Sequence, residues 1–228
     1  MANHAICIGI NEYEREKRWD SLSWAMNDAR KVRDFLAEKE KFDNIFYFAD
    51  DAEPISILGR IYRAKPTHNN LIHFFTEFFE DVQFGDRDNI WFFFSGHGIV
   101  QNGEDYLMPC DGSVRAIERT ALSVREITQY LRQSGVENIV LFLDACRNVY
   151  RDGKGYFGRD TIKGIVTFYS CQPGRISYEI DAIEQGSFTY ALLESLQIPG
   201  SECATVERLD NRLRDRVKAL NQQFDKPE

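Results

Sequence analysis

The sequence lacks the short motifs by which several large classes of protein are recognised. It contains no CxxC and no HxxxH pattern, which disfavours a zinc site. Neither a GxGxxG fingerprint nor a P-loop follows the first apolar segment, which disfavours a nucleotide-binding α/β protein. The five cysteines are odd in number and scattered, so they suit a reducing compartment better than a disulfide framework.

Long apolar runs and an excess of basic residues are lacking as well. The first apolar run, 5–10, is far too short to cross a bilayer, and no basic leader precedes it. The net charge is -8, which argues against nucleic acid as a partner and is compatible with basic substrates. These absences predict a cytoplasmic protein without membrane or nucleic-acid partners.

What the chain does contain is typical of a large globular domain. Its 228 residues are 43% hydrophobic and 13% aromatic, so a sizeable core can form. Short apolar runs that suit buried strands alternate with segments whose apolar residues recur at helical spacing. This alternation indicates a single α/β domain on a parallel sheet, with HAICIGI at 4–10 as its first and central strand.

Two of the predicted strands end in side chains that can do chemistry. The apolar run 140–143 breaks off shortly before Cys146, and the run 90–94 breaks off shortly before His97. Active sites of open α/β sheets lie just beyond the carboxyl ends of such strands. Either residue alone is more often structural, but together they form the nucleophile and base of covalent catalysis. They stand 49 positions apart, close to the spacing of roughly 50 residues between His and Cys in caspases.

At these positions the sequence resembles the caspase-like cysteine peptidases, and within them the metacaspases and bacterial orthocaspases more than the animal caspases. The resemblance rests on six segments spread over nearly the whole chain: LSWAMNDA (22–29), SGHG (95–98), DYLMPCD (105–111), DACRN (144–148), FYSCQPG (168–174) and GSFTYALLESL (186–196). It implies a caspase-like α/β fold, with a mostly parallel central sheet of about six strands sandwiched by helices and a small hairpin after His97. It also implies a polypeptide substrate.

The resemblance assigns the chemistry of peptide cleavage to a small set of residues. Cys146 is expected to be the nucleophile and His97 the general base, and the backbone N–H groups of Gly98 and Cys146 are expected to form the oxyanion hole. No Asp or Asn close to His97 in sequence is needed to orient it, which suits a dyad rather than a triad. The substrate main chain is expected to pair with the loop that contains Ser170, Cys171 and Gln172.

Specificity depends on Asp144, which stands where the caspase pattern QAC[RQG]G has its Gln. Residues two apart on a strand share a face, so Asp144 lies on the side of Cys146 and predicts a pocket for Arg or Lys before the scissile bond. The resemblance adds Asp28 and Ser95 to that pocket. Two alternatives stay open: Asp28 can be an acid in the first turn of a helix, and Asp144 a strand-end acid bonded to nearby backbone.

The resemblance also divides one catalytic domain into a large-subunit-like region (1–150), a linker (151–163) and a small-subunit-like region (164–228). The linker is rich in glycine and basic residues, so it predicts an exposed loop that is either cut to activate a zymogen or left intact. The candidate processing positions are Arg151, Lys154, Arg159 and Lys163. Caspase-like domains commonly go on to one more strand, so we expect the chain to be the peptidase portion of a longer protein with a regulatory domain.

No cofactor is predicted, and a calcium site is disfavoured. Many metacaspases bind calcium through acids that include a pair of Asp residues before the helix that precedes the catalytic strand. This chain has Ser-Val-Arg-Glu at the corresponding positions, 123–126. Three carboxylates remain as conceivable oxygen ligands without motif support: Asp105, Asp111 and Asp152.

Local signals complete the secondary-structure prediction. Asn102-Gly103 predicts a tight hairpin, and Ser123 opens a capping box that predicts the start of a helix. The acidic segment 50–53, which precedes Pro54, predicts an exposed turn and another helix start.

Three functions compete on these observations. The first is a cysteine endopeptidase that cleaves after Arg or Lys by means of Cys146 and His97. The second is a catalytically silent interaction or signalling module that retains a vestigial dyad. The third is a nucleotide-binding or receiver-like α/β protein, which is disfavoured because no GxGxxG or P-loop follows the first strand. The glycines and the paired Cys and His favour the first.

Overall fold

The computed structural model describes residues 1–14, 20–149, 164–198 and 205–227. The strands in these ranges are β1 (Asn3–Gly9), β2 (Asn44–Phe48), β3 (Ile55–Ile57), β4 (Arg60–Tyr62), β5 (Asn89–Gly96), β6 (Gly98–Gln101), β7 (Glu104–Leu107), β8 (Leu122–Ser123), β9 (Asn138–Ala145), β10 (Asn148–Val149), β11 (Ile165–Tyr169), β12 (Glu179–Ile180) and β13 (Gln185–Gly186). The helices are α1 (Ala25–Glu38), α2 (His68–Asp81), α3 (Ile117–Thr120), α4 (Val124–Gln133), α5 (Ser187–Leu196) and α6 (Val206–Gln223).

The central sheet has the order β11-β9-β5-β1-β2, and each neighbouring pair is parallel. The expected parallel sheet is therefore confirmed, with five strands in the described ranges where about six were expected. The middle strand is β5 rather than β1, so the prediction of β1 as the central strand was wrong. Both strands are buried on both faces, and burial alone does not distinguish the middle of a sheet from its neighbour.

Helices cover both faces of this sheet, because successive residues of each strand point to opposite sides. In β1, Ile6 and Ile8 belong to the core cluster that contains α2 and α4. Ala5 and Cys7 belong to the other cluster, with α1, α5 and α6. Full burial of one such Ile side chain stabilises the fold by about 1.5–3 kcal/mol.

A second, smaller sheet lies next to the carboxyl end of the central one, in the order β10-β6-β7-β8. Its β6–β7 hairpin turns at Asn102 (φ 54°) and Gly103 (φ 78°), the left-handed pair that a type I′ turn requires, so the predicted hairpin is confirmed. Ser123 accepts a hydrogen bond from the N–H of Glu126 at the start of α4, as the capping box predicts.

The prediction of a helix start at Pro54 was wrong. The chain forms the short β3–β4 hairpin, in which Ile55 pairs with Tyr62 across a turn with positive φ at Leu58 and Gly59. Each strand has three residues, too few for the strand period to show in the sequence. Burial of Tyr62 against the core is the tertiary contact that decides the structure here.

The regions on either side of the linker share the central sheet, because β11 pairs with β9 along its whole length. The candidate processing positions Arg151, Lys154, Arg159 and Lys163 lie outside the described residues. Among the helices that the structure describes, none combines the length and apolar character needed to span a bilayer.

Candidate active site

His97 and Cys146 occupy equivalent places just after the ends of two neighbouring interior strands, β5 and β9. Before them, β5 and β9 pair Gly96 with Ala145. After them, β6 and β10 pair Ile99 with Asn148 in the same parallel sense and with the same offset. Ordered pairing on both sides therefore brackets His97 and Cys146, and the pairing of β10 with β6 had no signal in the sequence.

Gly98 permits the close approach of these two chain segments. A Cβ atom at this position would lie 2.5 Å from the carbonyl oxygen of Cys146 and 3.0 Å from the Cβ atom of Ala145. Real Cβ atoms essentially never approach a backbone oxygen so closely, so any side chain here would push the segment after His97 away from Cys146. Glycine at this position therefore lets the chain segments that carry His97 and Cys146 pack against each other.

The imidazole of His97 is oriented by a backbone carbonyl. Its Nε2 lies 2.8 Å from the carbonyl oxygen of Asp20, in the segment between β1 and α1. Because a carbonyl oxygen can only accept, Nε2 carries the proton in the neutral ring, and the lone pair is on Nδ1. Sequence reasoning missed Asp20 because the contact uses main chain rather than a side chain.

Tyr13 supports the same histidine from a second direction. The backbone N–H of His97 donates to the phenolic oxygen of Tyr13 at 2.7 Å, and the two ring centroids lie 4.7 Å apart. Burial raises the pKa of Tyr13, so the phenol stays neutral at physiological pH. No motif pointed to Tyr13, since a lone tyrosine in a charged loop has no pattern around it.

The thiol and the imidazole are both neutral at rest. Burial raises the pKa of the Cys146 thiol above its usual value and lowers the pKa of His97. The thiol donates a hydrogen bond to the carbonyl oxygen of Ser177, with 3.7 Å between sulfur and oxygen. A neutral imidazole with its lone pair on Nδ1 has the protonation state that a general base needs.

The main chain after Cys146 is fixed by the side chain and backbone of Arg147. Its guanidinium forms two hydrogen bonds to the Asp105 carboxylate, at 2.7 and 2.6 Å, and stacks 4.0 Å from the ring centre of Tyr169. Its backbone N–H donates to the carbonyl of Arg175, and its carbonyl accepts from the N–H of Gly174. These contacts hold the backbone next to the candidate oxyanion donor at Cys146.

Two of the three carboxylates considered as calcium ligands are bonded to protein groups in the described part of the chain. Asp105 is the partner of Arg147, and Asp111 accepts the backbone N–H of His68 at 2.7 Å at the start of α2. Asp152 lies outside the described residues.

Asp28 is buried at the first turn of α1, with a relative exposure of 1%. Its carboxylate accepts hydrogen bonds from the hydroxyl of Ser95 at 3.1 Å and from the backbone N–H of Gly186 at 3.1 Å. The residue is thus a first-turn acid, as one prediction had it, and it also contacts Ser95; its place in a substrate pocket stays a prediction.

Asp144 is buried at the end of β9. One carboxylate oxygen accepts from the hydroxyl of Ser177 at 2.6 Å. The other oxygen accepts from the backbone N–H and the hydroxyl of Thr189, at 3.1 and 2.7 Å. Ser177 therefore connects Asp144 to Cys146, because its hydroxyl bonds the carboxylate and its carbonyl oxygen accepts from the thiol.

The two buried acids face each other across Gly186. A Cβ atom on Gly186 would lie 2.5 Å from an Asp144 oxygen and 3.0 Å from an Asp28 oxygen. Burial, reinforced by the charge of Asp144, raises the pKa of Asp28 well above its usual range, and burial also raises the pKa of Asp144. The hydrogen bonds that both carboxylates accept in the described part of the chain come from neutral groups.

The loop after β11 is bonded to the strand that carries Cys146. The Ser170 hydroxyl and the Cys171 thiol both reach the carbonyl oxygen of Ala145, at 3.2 and 3.5 Å. Gln172 is exposed, and its carbonyl accepts the N–H of Arg175 in a turn. The three residues predicted to contact the substrate main chain are thus consecutive at the edge of the site.

A parallel central sheet with a cysteine, a histidine and a buried acid at its carboxyl edge, and a second buried acid on the adjoining helix α1, defines an α/β protein with a candidate thiol-peptidase site. The sequence matches the Caspase domain family over residues 2–227, so the chain belongs to that family. The predicted resemblance to the caspase-like family is therefore confirmed.

Two similar proteins extend this result. A protein named as a "Probable protease" from a Desulfuromonadales bacterium is 27% identical in an alignment of 222 residues, and the match covers 88% of this chain and 26% of that protein. This chain thus spans about a quarter of the length of its curated relative. The crystal structure of protein GSU0716 from Geobacter sulfurreducens is similar in fold, with a TM-score of 0.61 and 16% identity over 93% of this chain and 89% of that one.

Proposed function

We propose that the chain is a cysteine endopeptidase that cleaves peptide bonds after Arg or Lys. The observation that carries the proposal is the pair of buried carboxylates, Asp28 and Asp144, next to the bracketed pair of His97 and Cys146. Two acids that face one glycine, hydrogen-bonded by neutral groups, form a site that a cationic side chain would stabilise. Membership of the Caspase domain family and similarity to a "Probable protease" support the same chemistry.

The proposed reaction starts from the neutral pair. Nδ1 of His97 takes the proton of the Cys146 thiol as the sulfur attacks the substrate carbonyl carbon, and the tetrahedral oxyanion is bonded by the N–H groups of Gly98 and Cys146. The intermediate collapses to an acyl-enzyme when His97 gives the proton to the leaving amine. Water then attacks the thioester with His97 again as base, which releases the acid product and restores the thiol.

The raised pKa of the thiol is consistent with this sequence of steps. A neutral thiol and a neutral imidazole, both half-buried, are not a stored thiolate–imidazolium pair, so proton transfer accompanies attack rather than precedes it. The bond from His97 to the Asp20 carbonyl keeps the imidazole in the tautomer that can accept this proton, and it stabilises the imidazolium that forms.

The basic preference follows from the charges of the pocket. A substrate guanidinium offers five N–H donors in a planar fork, so it can bond both carboxylates, whereas Lys offers a point charge on a flexible stem. A substrate Asp would bring a third carboxylate against two others in a site closed to water. We expect Arg to be favoured over Lys and Asp to be rejected.

Matched fluorogenic peptides that end in Arg, Lys or Asp test the proposal. We expect wild-type protein to hydrolyse the Arg and Lys peptides and to leave the Asp peptide intact, and we expect Cys146→Ala to abolish turnover while the far-UV spectrum stays unchanged. Turnover that survives in Cys146→Ala would refute the nucleophile assignment. Soluble, folded wild-type protein that is silent on all three peptides would favour the interaction module.

Regulation is proposed to come from parts of the protein outside this domain. The relative named as a protease is about four times longer than the matched segment, which fits a peptidase domain joined to further domains. Activation by cutting at Arg151, Lys154, Arg159 or Lys163 is the accompanying proposal for the linker. Intact-mass analysis during incubation with substrate tests it, since processing at these positions gives two fragments that share one folded domain.

A further inference from the structure

We propose that Glu179 is a positioning residue for His97. It anchors the segment 20–24, whose first carbonyl orients the imidazole, to the part of the chain that forms the acidic pocket. This inference deepens the proposed peptidase function and rests on it. The expected consequence is that Glu179 controls the proton-accepting state of His97 without touching the reacting atoms.

The contacts of Glu179 are made to main chain at the start of α1. One carboxylate oxygen accepts the N–H of Ser23 at 2.9 Å, and the other accepts the N–H of Trp24 at 2.7 Å. Trp24 is the N-cap residue of α1, and its own side chain does not cap the helix. Glu179 thus supplies this helix start with acceptors from a point 155 residues further along the chain.

The anchored segment leads directly to the candidate base. Asp20, whose carbonyl oxygen accepts from Nε2 of His97, is three residues before Ser23. Asn11 holds the other side of the same segment, because its side chain bonds the Ser23 carbonyl and the N–H of Met26. A carbonyl placed by so short a tether depends on both anchors, Asn11 and Glu179, for its position.

The other end of the connection is the acidic pocket. In the β12–β13 ladder, Glu179 pairs with Gly186, the glycine that faces both buried acids. Helix α1, which begins at the anchored segment, carries Asp28 in its first turn. Glu179 therefore joins the elements that place the pocket to the elements that place His97, and a shift in one would be felt by the other.

A full carboxylate is needed for this role. Two N–H groups require two acceptor oxygens, and a negative charge at the amino end of a helix is favoured by the helix dipole. A Gln at 179 keeps the shape but offers one oxygen, and its NH₂ group would face an N–H donor. Burial raises the pKa of Glu179, and the hydrogen bonds from the N–H groups of Ser23 and Trp24 offset part of that rise.

The experiment compares Glu179→Gln with Asp181→Asn as a matched control. Asp181 belongs to the same short segment and accepts from the indole N–H of Trp24 at 2.8 Å, a bond that an Asn oxygen can keep. The tautomer of His97 is read from imidazole ¹⁵N shifts, assigned by loss of the signal in His97→Gln. The chain has four histidines, so the spectrum is simple enough to assign.

For Glu179→Gln we expect the pure Nε2–H tautomer of the wild type to give way to an exchanging mixture. We also expect kcat for the Arg peptide to fall about tenfold or more, with KM changed less than about threefold. The acid limb of kcat/KM should move to lower pH, because the bond to Asp20 favours the protonated imidazole. Asp181→Asn should match the wild type in all three readouts.

Other outcomes would overturn the inference. An unchanged tautomer with a raised KM would make Glu179 a substrate-binding acid, and no change in a folded variant would make it merely structural. If Glu179→Gln does not fold, Glu179→Asp keeps the charge but is too short to span both N–H groups, and the same shifts are expected. The tautomer readout needs no turnover, so it remains decisive even if the wild type cleaves none of the peptides and the proposed function fails.

Discussion

Replacement of Asp28 by Asn tests two effects of the acidic pocket separately: its contribution to activity on Arg peptides and its effect on the stability of the fold. The substitution keeps the size of the side chain and leaves one oxygen to accept the N–H of Gly186, while the Ser95 hydroxyl can turn to accept from the new NH₂ group. What it removes is a carboxyl group that can ionise against a substrate cation, at a site with 1% exposure. The pocket should stay intact in shape and keep one ionisable carboxyl, that of Asp144.

The expected loss of activity follows from the burial of this site. Removal of one partner from a buried, hydrogen-bonded charge pair costs about 2–5 kcal/mol. At about 1.4 kcal/mol per factor of ten, kcat/KM for an Arg peptide should fall roughly 30-fold to a few thousand-fold. The empty protein should become more stable, because a buried carboxyl beside Asp144 no longer has to ionise. A gain of about 1 kcal/mol would raise Tm by about 2–4 °C.

Initial rates on Arg and Asp peptides test the predicted loss of activity, and a thermal melt in the absence of substrate tests the predicted gain in stability. Asp34→Asn is the matched control, since Asp34 is on the same helix and forms an exposed ion pair with Arg33. Such surface pairs contribute about 0–1 kcal/mol, so activity should stay within about twofold of the wild type. A folded Asp28→Asn protein with unchanged preference for Arg would refute the assignment of the pocket.

Three further predictions concern the same site. Gly186→Ala should lower kcat/KM for Arg peptides and destabilise the fold by about 1–3 kcal/mol, because the added Cβ would lie 2.5 Å from an Asp144 oxygen. Backbone strain is not the cause, since the φ of -67° at Gly186 suits alanine. Normal kinetics in this variant would contradict the contact. Between the usual pKa of Asp and the raised pKa of Asp28, KM for Arg peptides should fall as the pH rises, because ionised Asp28 attracts the substrate cation. Over the same range Tm of the empty protein should also fall, because a raised pKa in the folded state gives stability that is lost on ionisation. Both trends should vanish in Asp28→Asn. Chelator should leave the turnover of Arg peptides largely intact, and a complete loss that added calcium reverses would show that the sequence argument against a calcium site was wrong.

The parts of the site that could be predicted from sequence are those that depend on strand ends. The apolar runs before His97 and Cys146 identify two buried parallel strands, and parallel strands bring their carboxyl ends to one edge of the sheet. The alternation of faces along a strand predicts that Asp144 and Cys146, two residues apart, lie on the same side. Asn102-Gly103 needs no tertiary information, since its positive φ angles are favoured locally.

The parts that could not be predicted depend on main chain and on distant contacts. The group that orients His97 is a carbonyl at Asp20, and every residue type carries a carbonyl, so no pattern marks it. Gly186 reads as an ordinary glycine before a helix, yet its lack of a Cβ atom is what allows the two acids to meet. The hairpin after Pro54 shows the same limit, because packing of Tyr62 against the core outweighs a weak local signal.

Covalent labelling of the native protein tests the central claim most directly. Peptidyl acyloxymethyl ketones that end in Arg or in Asp alkylate an activated thiol only where the peptide is recognised, and digestion followed by mass spectrometry identifies the modified cysteine. We predict rapid labelling of Cys146 by the Arg reagent, none by the Asp reagent, and much slower labelling in His97→Ala and Asp144→Asn. Equal labelling by both reagents, or labelling of another cysteine in place of Cys146, would contradict the proposed nucleophile and its acidic pocket.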